Sequence, residues 1–280
     1  MLALPINRLA WVAAFLCLAS AAAAQPAVLP AEIVTPHRAV YEIAMARSDQ
    51  GSGVSTASGR MVFEITGGAC EGYKMRQRLM VDMGDEEGNL SLLDFRISTF
   101  ESAAGDFYSF DSRTTVNADE VEAVGGEARR SPTGIEVKLT HPAEKTIELD
   151  GDTLFPGQHL QAILKAAAAD RDFVAAEIYE GAGTGDASDA ASASIGNAVE
   201  TAGEAPLRGG VRHWPVSVGY FDRGDAKPDA LGEELPSYQM QFTLYENGVT
   251  NDLVMDYGDY ALSGSLQSIE ALAQSECVSP

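Results

Sequence analysis

The chain has 280 residues, with 41 acidic against 19 basic side chains and a formal net charge of −22. A surface this acidic repels phosphate backbones and anionic lipid, which argues against nucleic-acid partners and against electrostatic docking on membranes. At this length, with no sharp break in composition, one large all-β domain or two smaller ones fit.

Residues 1–24 predict a secretory signal peptide. Arg8 precedes an apolar run from Leu9 to Ala19, and Ala22-Ala23-Ala24 offers an Ala-x-Ala cleavage site ahead of Gln25. The remainder, 25–280, is expected to be one exported, periplasmic domain. The leading run is short for a spanning helix, and no later stretch nears the roughly 20 apolar residues that one needs. Cys17 does not read as a lipid-attachment site, because Leu16 stands where a lipobox carries a small residue. Cys70 and Cys277 then remain, in a compartment where disulfides persist. They are expected to pair, closing a loop of 207 residues (277 − 70). Two separate thiols, one bonded to another molecule, is the alternative. Neither has metal-ligand spacing.

Taken in order, the chain alternates apolar and polar residues strand after strand. Ala39, Tyr41, Ile43 and Met45 share one face, and a Ser/Gly-rich turn follows. Met61, Phe63 and Ile65 come next, then the GGACEG corner that holds Cys70, then Tyr73, Met75, Leu79 and Val81, then Leu93, Phe95 and Ile97. Shorter candidates follow at EVEAV, GIEVKL and KTIEL. Turn signals recur about every 8 to 12 residues, the spacing of a meandering sheet, sandwich or barrel of about fourteen strands. One helix interrupts them at 158–171, alanine-rich, with Leu160, Ile163 and Leu164 on one face and Pro156-Gly157 stopping the strand before it. It is expected to pack on the sheet or plug an opening in it. The Ala/Gly/Ser tract of about 181–206 reads as a flexible loop in which ASASI could be a strand. RHWPVSVGYF reads as an edge strand, since Pro215 interrupts a ladder, and an aromatic such as Trp214 on an edge could anchor a peptide, although covering the core is commoner.

The plainest signal is Tyr238 to Leu266. A two-residue type I′ turn at Asn247-Gly248 would pair Leu244 with Asn251, Phe242 with Leu253, Met240 with Met255 and Tyr238 with Tyr257. Gln239, Gln241, Thr243, Asp252 and Asp256 would take the wetter face. Chemistry is harder to find. His37, His141, His159 and His213 are far apart and read as surface or edge histidines, and no zinc, nucleophile-elbow or phosphate-loop pattern occurs. Asp222, Asp225, Asp229, Glu233 and Glu234 lack the regular spacing of a calcium loop. No catalytic residue, metal site or cofactor is therefore expected. Tyr41, Phe63, Phe95, Phe242 and Tyr257 could line an apolar concave face that holds lipid, or could simply be core.

The blocks PHRAVYEI (36–43), SGRMVFEI (58–65), ACEGY (69–73), LFPGQHL (154–160), RHWPVSVGYFD (212–222), YENGV (245–249) and LVMDYGDYALSG (253–264), with the late Cys277, resemble the EipB family of cell envelope integrity proteins of alphaproteobacteria. The resemblance implies a periplasmic, spiral-like or broken β-barrel similar to the lipoprotein carriers LolA and LolB. It also implies a disulfide at Cys70 and Cys277, and a link to a periplasmic tetratricopeptide-repeat protein. No enzymatic activity is implied. The chain departs from the family in the 181–206 tract and at Gly157, where threonine is commoner. The expectation is thus a non-enzymatic envelope factor that binds a protein or lipid-like partner, with a LolA-like lipid or lipoprotein carrier as the alternative. An envelope hydrolase and an outer-membrane barrel stand further off.

Overall fold

Period-two alternation needs a partner on each side of every strand, and in the computed structural model, which describes residues 34–200, 207, 212–221 and 235–274, almost every strand has one. In chain order these are β1 (His37–Ser48), β2 (Thr56–Gly68), β3 (Gly72–Gly84), β4 (Leu90–Glu101), β5 (Phe107–Val116), β6 (Asp119–Ser131), β7 (Gly134–His141), β8 (Lys145–Leu149), the helix α1 (Pro156–Ala168), β9 (Phe173–Ile178), β10 (Asp189–Ile195), β11 (Val199–Glu200), β12 (Arg212–Phe221), β13 (Tyr238–Tyr245), β14 (Thr250–Asp256) and β15 (Tyr260–Ala271). The expected mainly-β architecture is present as a single antiparallel sheet of fifteen strands in the order β8-β7-β6-β5-β4-β3-β2-β1-β15-β14-β13-β12-β10-β9, with β11 beside β12.

Two meanders are joined where β15 pairs with β1. The margins of the sheet, β8 and β9, are neighbours in sequence, separated by α1. The sheet does not close through a strand pair among the described residues, but Leu154, in the connection between β8 and α1, bridges to β9. Leu154 N–H donates to Glu177 O at 2.7 Å and its carbonyl accepts from Tyr179 N–H at 2.9 Å. This small parallel bridge makes a broken barrel out of an open meander, and α1 lies at the break.

The helix begins two residues earlier than its sequence suggests. Pro156 does not end the previous segment; it occupies the first helical turn after the N-cap Phe155, where its fixed φ fits and its missing N–H would have no intrahelical acceptor. The far end closes with Asp170 at φ 53°, with Arg171 N–H reaching Ala166 O and Asp170 N–H reaching Ala167 O. That double bond pattern satisfies two of the helix's last carbonyls. Ala166 and Ala167 are buried together with Ala191 and Ala193 of β10, because only small side chains let a helix lie this close to a sheet. Within the 181–206 tract, ASASI is a strand, as the sequence allows, and forms most of β10; the remainder, read as flexible, also contains Asp189-Ala190 at the start of β10 and the short β11, and residues 201–206 lie outside the described residues.

The hairpin departs from the expected register in an instructive way. Met240 pairs with Met255 as expected, but Leu244 faces Thr250 and Thr243 faces Asn251. The turn has a three-residue loop: Gly248 N–H donates to Tyr245 O at 2.8 Å and Tyr245 N–H to Val249 O at 2.9 Å. Only Gly248, at φ 82°, is left-handed there, as in a type I turn followed by a one-residue bulge. A second bulge at Asp252, φ 51°, inserts one residue in β14 and returns the register by Met240. Two one-residue irregularities cancel, so the apolar face is preserved.

Pro215 is not on an edge. β12 pairs with β13 on one side and with β10 and β11 on the other. The Pro215 carbonyl accepts from Gly196 N–H at 2.8 Å, so its nitrogen faces the same side, at the corner between β10 and β11. A missing donor there breaks no ladder bond. Trp214 is 3% exposed in the core beneath α1, so it covers core and cannot anchor a peptide.

Candidate functional site

Inward-facing residues of the curled sheet leave apolar space against α1. A cavity of about 470 Å³ is lined from β2, β3, β4, β13 and β14, and a second of about 200 Å³ adjoins it beside the helix. Met61, Gln77, Pro156, Glu180, Tyr220 and Met240 line both. The five aromatics anticipated for a concave face are divided between them: Phe95 and Tyr257 line the larger, and Tyr41, Phe63 and Phe242 the smaller. Their environments differ. Tyr41 is 1% exposed and donates to Thr250 O at 2.8 Å, whereas Tyr257 is 38% exposed. Met61, Met75, Met240 and Met255 line the larger cavity, and flexible thioethers suit a surface that must adapt to its contents.

α1 forms the floor, through Pro156, His159, Leu160 and Ile163. Its N-terminus is held unusually firmly. Glu101, at the end of β4, accepts from Gly157 N–H at 2.8 Å, and the Gln158 side chain accepts from Phe155 N–H at 3.0 Å. Glycine at 157 permits this approach, since a Cβ would stand 2.6 Å from the Glu101 oxygen. Arg130 donates to Thr153 O at 2.8 Å and to Gln158 Oε1 at 3.0 Å, and lies over the Phe155 ring at 5.1 Å. Phe155 in turn stacks on Tyr108 at 5.0 Å. The carboxylate also sits where the helix dipole favours negative charge.

Two carboxyls and a histidine at this site have displaced pKa values. Burial pushes Glu101 up to about 7, opposed by the Gly157 and Gln158 N–H groups and by Arg130. Burial and then Asp189 push Glu180 up to about 7. Burial alone lowers His159 to about 4, and its Nε2 has no hydrogen-bond partner. Tyr220, Tyr238 and Tyr257 form a ladder along the wall of the larger cavity, with ring centroids 5.6 and 5.1 Å apart.

The histidines correct their expected surface placement in two cases. His37 is 1% exposed, with Nδ1 2.7 Å from Thr35 O, and His159 is buried under the cavity; burial lowers the His37 pKa as well. His141 is exposed, and His213 is half-buried against Tyr245. Among the described residues no three His, Cys, Asp or Glu side chains are grouped to hold a metal ion. The acidic run Asp222 to Glu234 and the predicted signal peptide lie outside the described residues. So does Cys277. Cys70 is disulfide-bonded, and Gly67, three residues before it, makes a parallel bridge with Gln274. Sequence reasoning missed Glu101 and Glu180, which carry no local motif, and placed the buried His159 at the surface. Tyr220 lies next to the end of the strand that holds Trp214, and Tyr238 and Tyr257 already stood out as a facing pair.

A single curled antiparallel sheet, broken at a helix and enclosing an apolar cavity, defines a barrel-like β-protein. The EipB-like family matches over residues 29–273, and the chain belongs to it. It is 33% identical over 241 residues, 85% of this chain and 84% of the relative, to the cell envelope integrity protein EipB of Brucella abortus (strain 2308). It is also similar to the crystal structure of a beta-barrel-like protein of a domain of unknown function from Brucella abortus. That match has a TM-score of 0.77 and 32% identity, covering 86% of this chain and 99% of the other. An envelope integrity role follows from this kinship. No helix among the described residues is long and apolar enough to cross a membrane.

Proposed function

We propose that this chain supports envelope integrity from the periplasm, after removal of residues 1–24, as a binding protein without catalytic turnover whose concave cavity holds the apolar chain of a lipid or lipoprotein. The observation that carries this reading is the cavity itself: two adjoining spaces of about 470 and about 200 Å³ with walls of Met, Phe, Leu and Tyr. Space of this size and character is typical of small-molecule sites. We read Cys70 and Cys277 as partners, on the support of the Gly67 and Gln274 bridge, which lies three residues before each cysteine. A carrier of the LolA kind would use the same cavity and release its cargo to an acceptor.

The test is native mass spectrometry of protein released without detergent, paired with titration of a fluorescent fatty-acyl probe. Met240→Trp, which puts an indole into the space shared by both cavities, should weaken probe binding at least about tenfold. Protein that carries no lipid and has no affinity for the probe would sink the reading. A second reading, docking of the repeat protein implied by the family resemblance, is favoured by one observation: β8 pairs only with β7 among the described strands, leaving backbone open to strand addition.

A further inference from the structure

The two cavities share one charge. Glu180 lines both, and no Lys, Arg or Asp lines either. Among the described residues no cation pairs with its carboxylate: the groups acting on it are its apolar surroundings and the like charge of Asp189. Burying a lone carboxyl beside another acid is costly, and a fold that needed only an apolar pocket would do better with Gln or Leu. Around it the walls are aromatic. Tyr220, Tyr238 and Tyr108 lie close enough to Glu180 to feel its charge, and the Tyr238 ring continues the ladder to Tyr257 at 5.1 Å. Tyrosine faces next to an unpaired carboxylate are what an ammonium group meets in a cage, where ring quadrupoles and one negative charge act together.

We propose that the cavity selects an amphiphile with an ammonium head, seated between Glu180 and the rings of Tyr220 and Tyr238, and a single apolar tail running along the methionine-lined wall towards Phe95. The proposal rests on the reading of the cavity as a lipid-binding site and specifies what that ligand is. Charge supports it twice: locally through Glu180, and at longer range through the net charge of −22, which favours the approach of cations.

Three single-chain probes of equal tail length test it below their micelle concentrations: dodecyltrimethylammonium, dodecyl maltoside and dodecyl sulfate, with tetramethylammonium as a head without a tail. The full-length mature protein should bind the ammonium amphiphile about tenfold more tightly than the maltoside, with the sulfate weakest, and should bind tetramethylammonium at least about a hundredfold more weakly than its alkylated form. Glu180→Gln, nearly isosteric, should remove most of the ammonium preference, and Tyr238→Leu should reduce it. Equal affinity for ammonium and maltoside would overturn the assignment while leaving the cavity as a lipid site. A preference that survives Glu180→Gln would trace it to overall charge and also overturn it. Failure of every alkylated probe would remove the cavity reading and this one together, and tetramethylammonium binding as tightly as the alkylated form would refute the role of the tail.

Discussion

Replacing Glu101 by Gln isolates the electrostatics of the helix that floors the cavity. The carboxyl is 9% exposed and is held at about 7 against an ordinary value of 4.5. Below about pH 4.5 it is neutral whether the chain is folded or not. Between 4.5 and 7 the unfolded chain releases its proton while the native state keeps it, so stability falls as pH rises and levels off above about 7. The difference, 2.5 pH units at about 1.36 kcal/mol each, is about 3 kcal/mol, an upper figure for one group. Gln keeps an acceptor for Gly157 N–H but cannot ionise. The stability of wild type relative to Glu101→Gln should therefore decline by up to about 3 kcal/mol from pH 4.5 to pH 8. At about 2–4 °C per kcal/mol this is about 6 to 12 °C in melting temperature. Urea unfolding across that range measures it directly. A wild-type-minus-variant difference constant with pH to within about 0.5 kcal/mol would refute the buried, titrating cap.

The same linkage extends to the other two groups. Glu180, also held at about 7, acts in the same direction as Glu101, whereas His159, lowered to about 4 from 6.5, contributes stability that is present above pH 6.5 and lost as pH falls through about 4. Two raised carboxyls outweigh one lowered imidazole, so the joint contribution of the three groups should be largest near pH 4 and decline from there to about pH 7; stability of the wild type, relative to a Glu101→Gln/Glu180→Gln variant, that rises between pH 5 and pH 7 would contradict this. Cys70→Ser should destabilise the oxidised protein by up to about 5 kcal/mol if the bridge closes the 207-residue loop, and equal melting temperatures in oxidising buffer would exclude the staple. Ala193→Leu, at a position 0% exposed beneath α1, should cost about 1–3 kcal/mol by overpacking; a variant as stable as wild type would mean the helix does not press on β10.

Some of the fold was open to reading from local pattern because local physics decides it. Alternation in PHRAVYEI and SGRMVFEI predicts β1 and β2, since side chains two apart must share a face wherever the strand lies. The Asn-Gly pair correctly places a turn, yet not its length: whether two or three residues form the loop depends on Gly248 alone being left-handed, and on a second bulge at Asp252 that only the packed face demands. Pro215 suggested an edge because proline breaks ladders in general; β12 lies inside the sheet because the break happens to fall at the corner between β10 and β11. The aromatic set Tyr41, Phe63, Phe95, Phe242 and Tyr257 was found by its periodicity, which is blind to the polar residues that share the cavity.

By itself the sequence determined the mainly-β character, the hairpin, the helix and the inward aromatic faces, because each follows from spacing within about a dozen residues. It also determined the acidity, a sum that needs no coordinates. Only the tertiary structure decided that Leu154, ahead of α1, bridges to β9, that Glu101 travels from the end of β4 to the start of α1, and that Glu180 stands as the one carboxylate between two apolar spaces. Those facts join residues more than twenty positions apart, and burial, which displaces their pKa values, belongs to the assembled surroundings and not to any local motif.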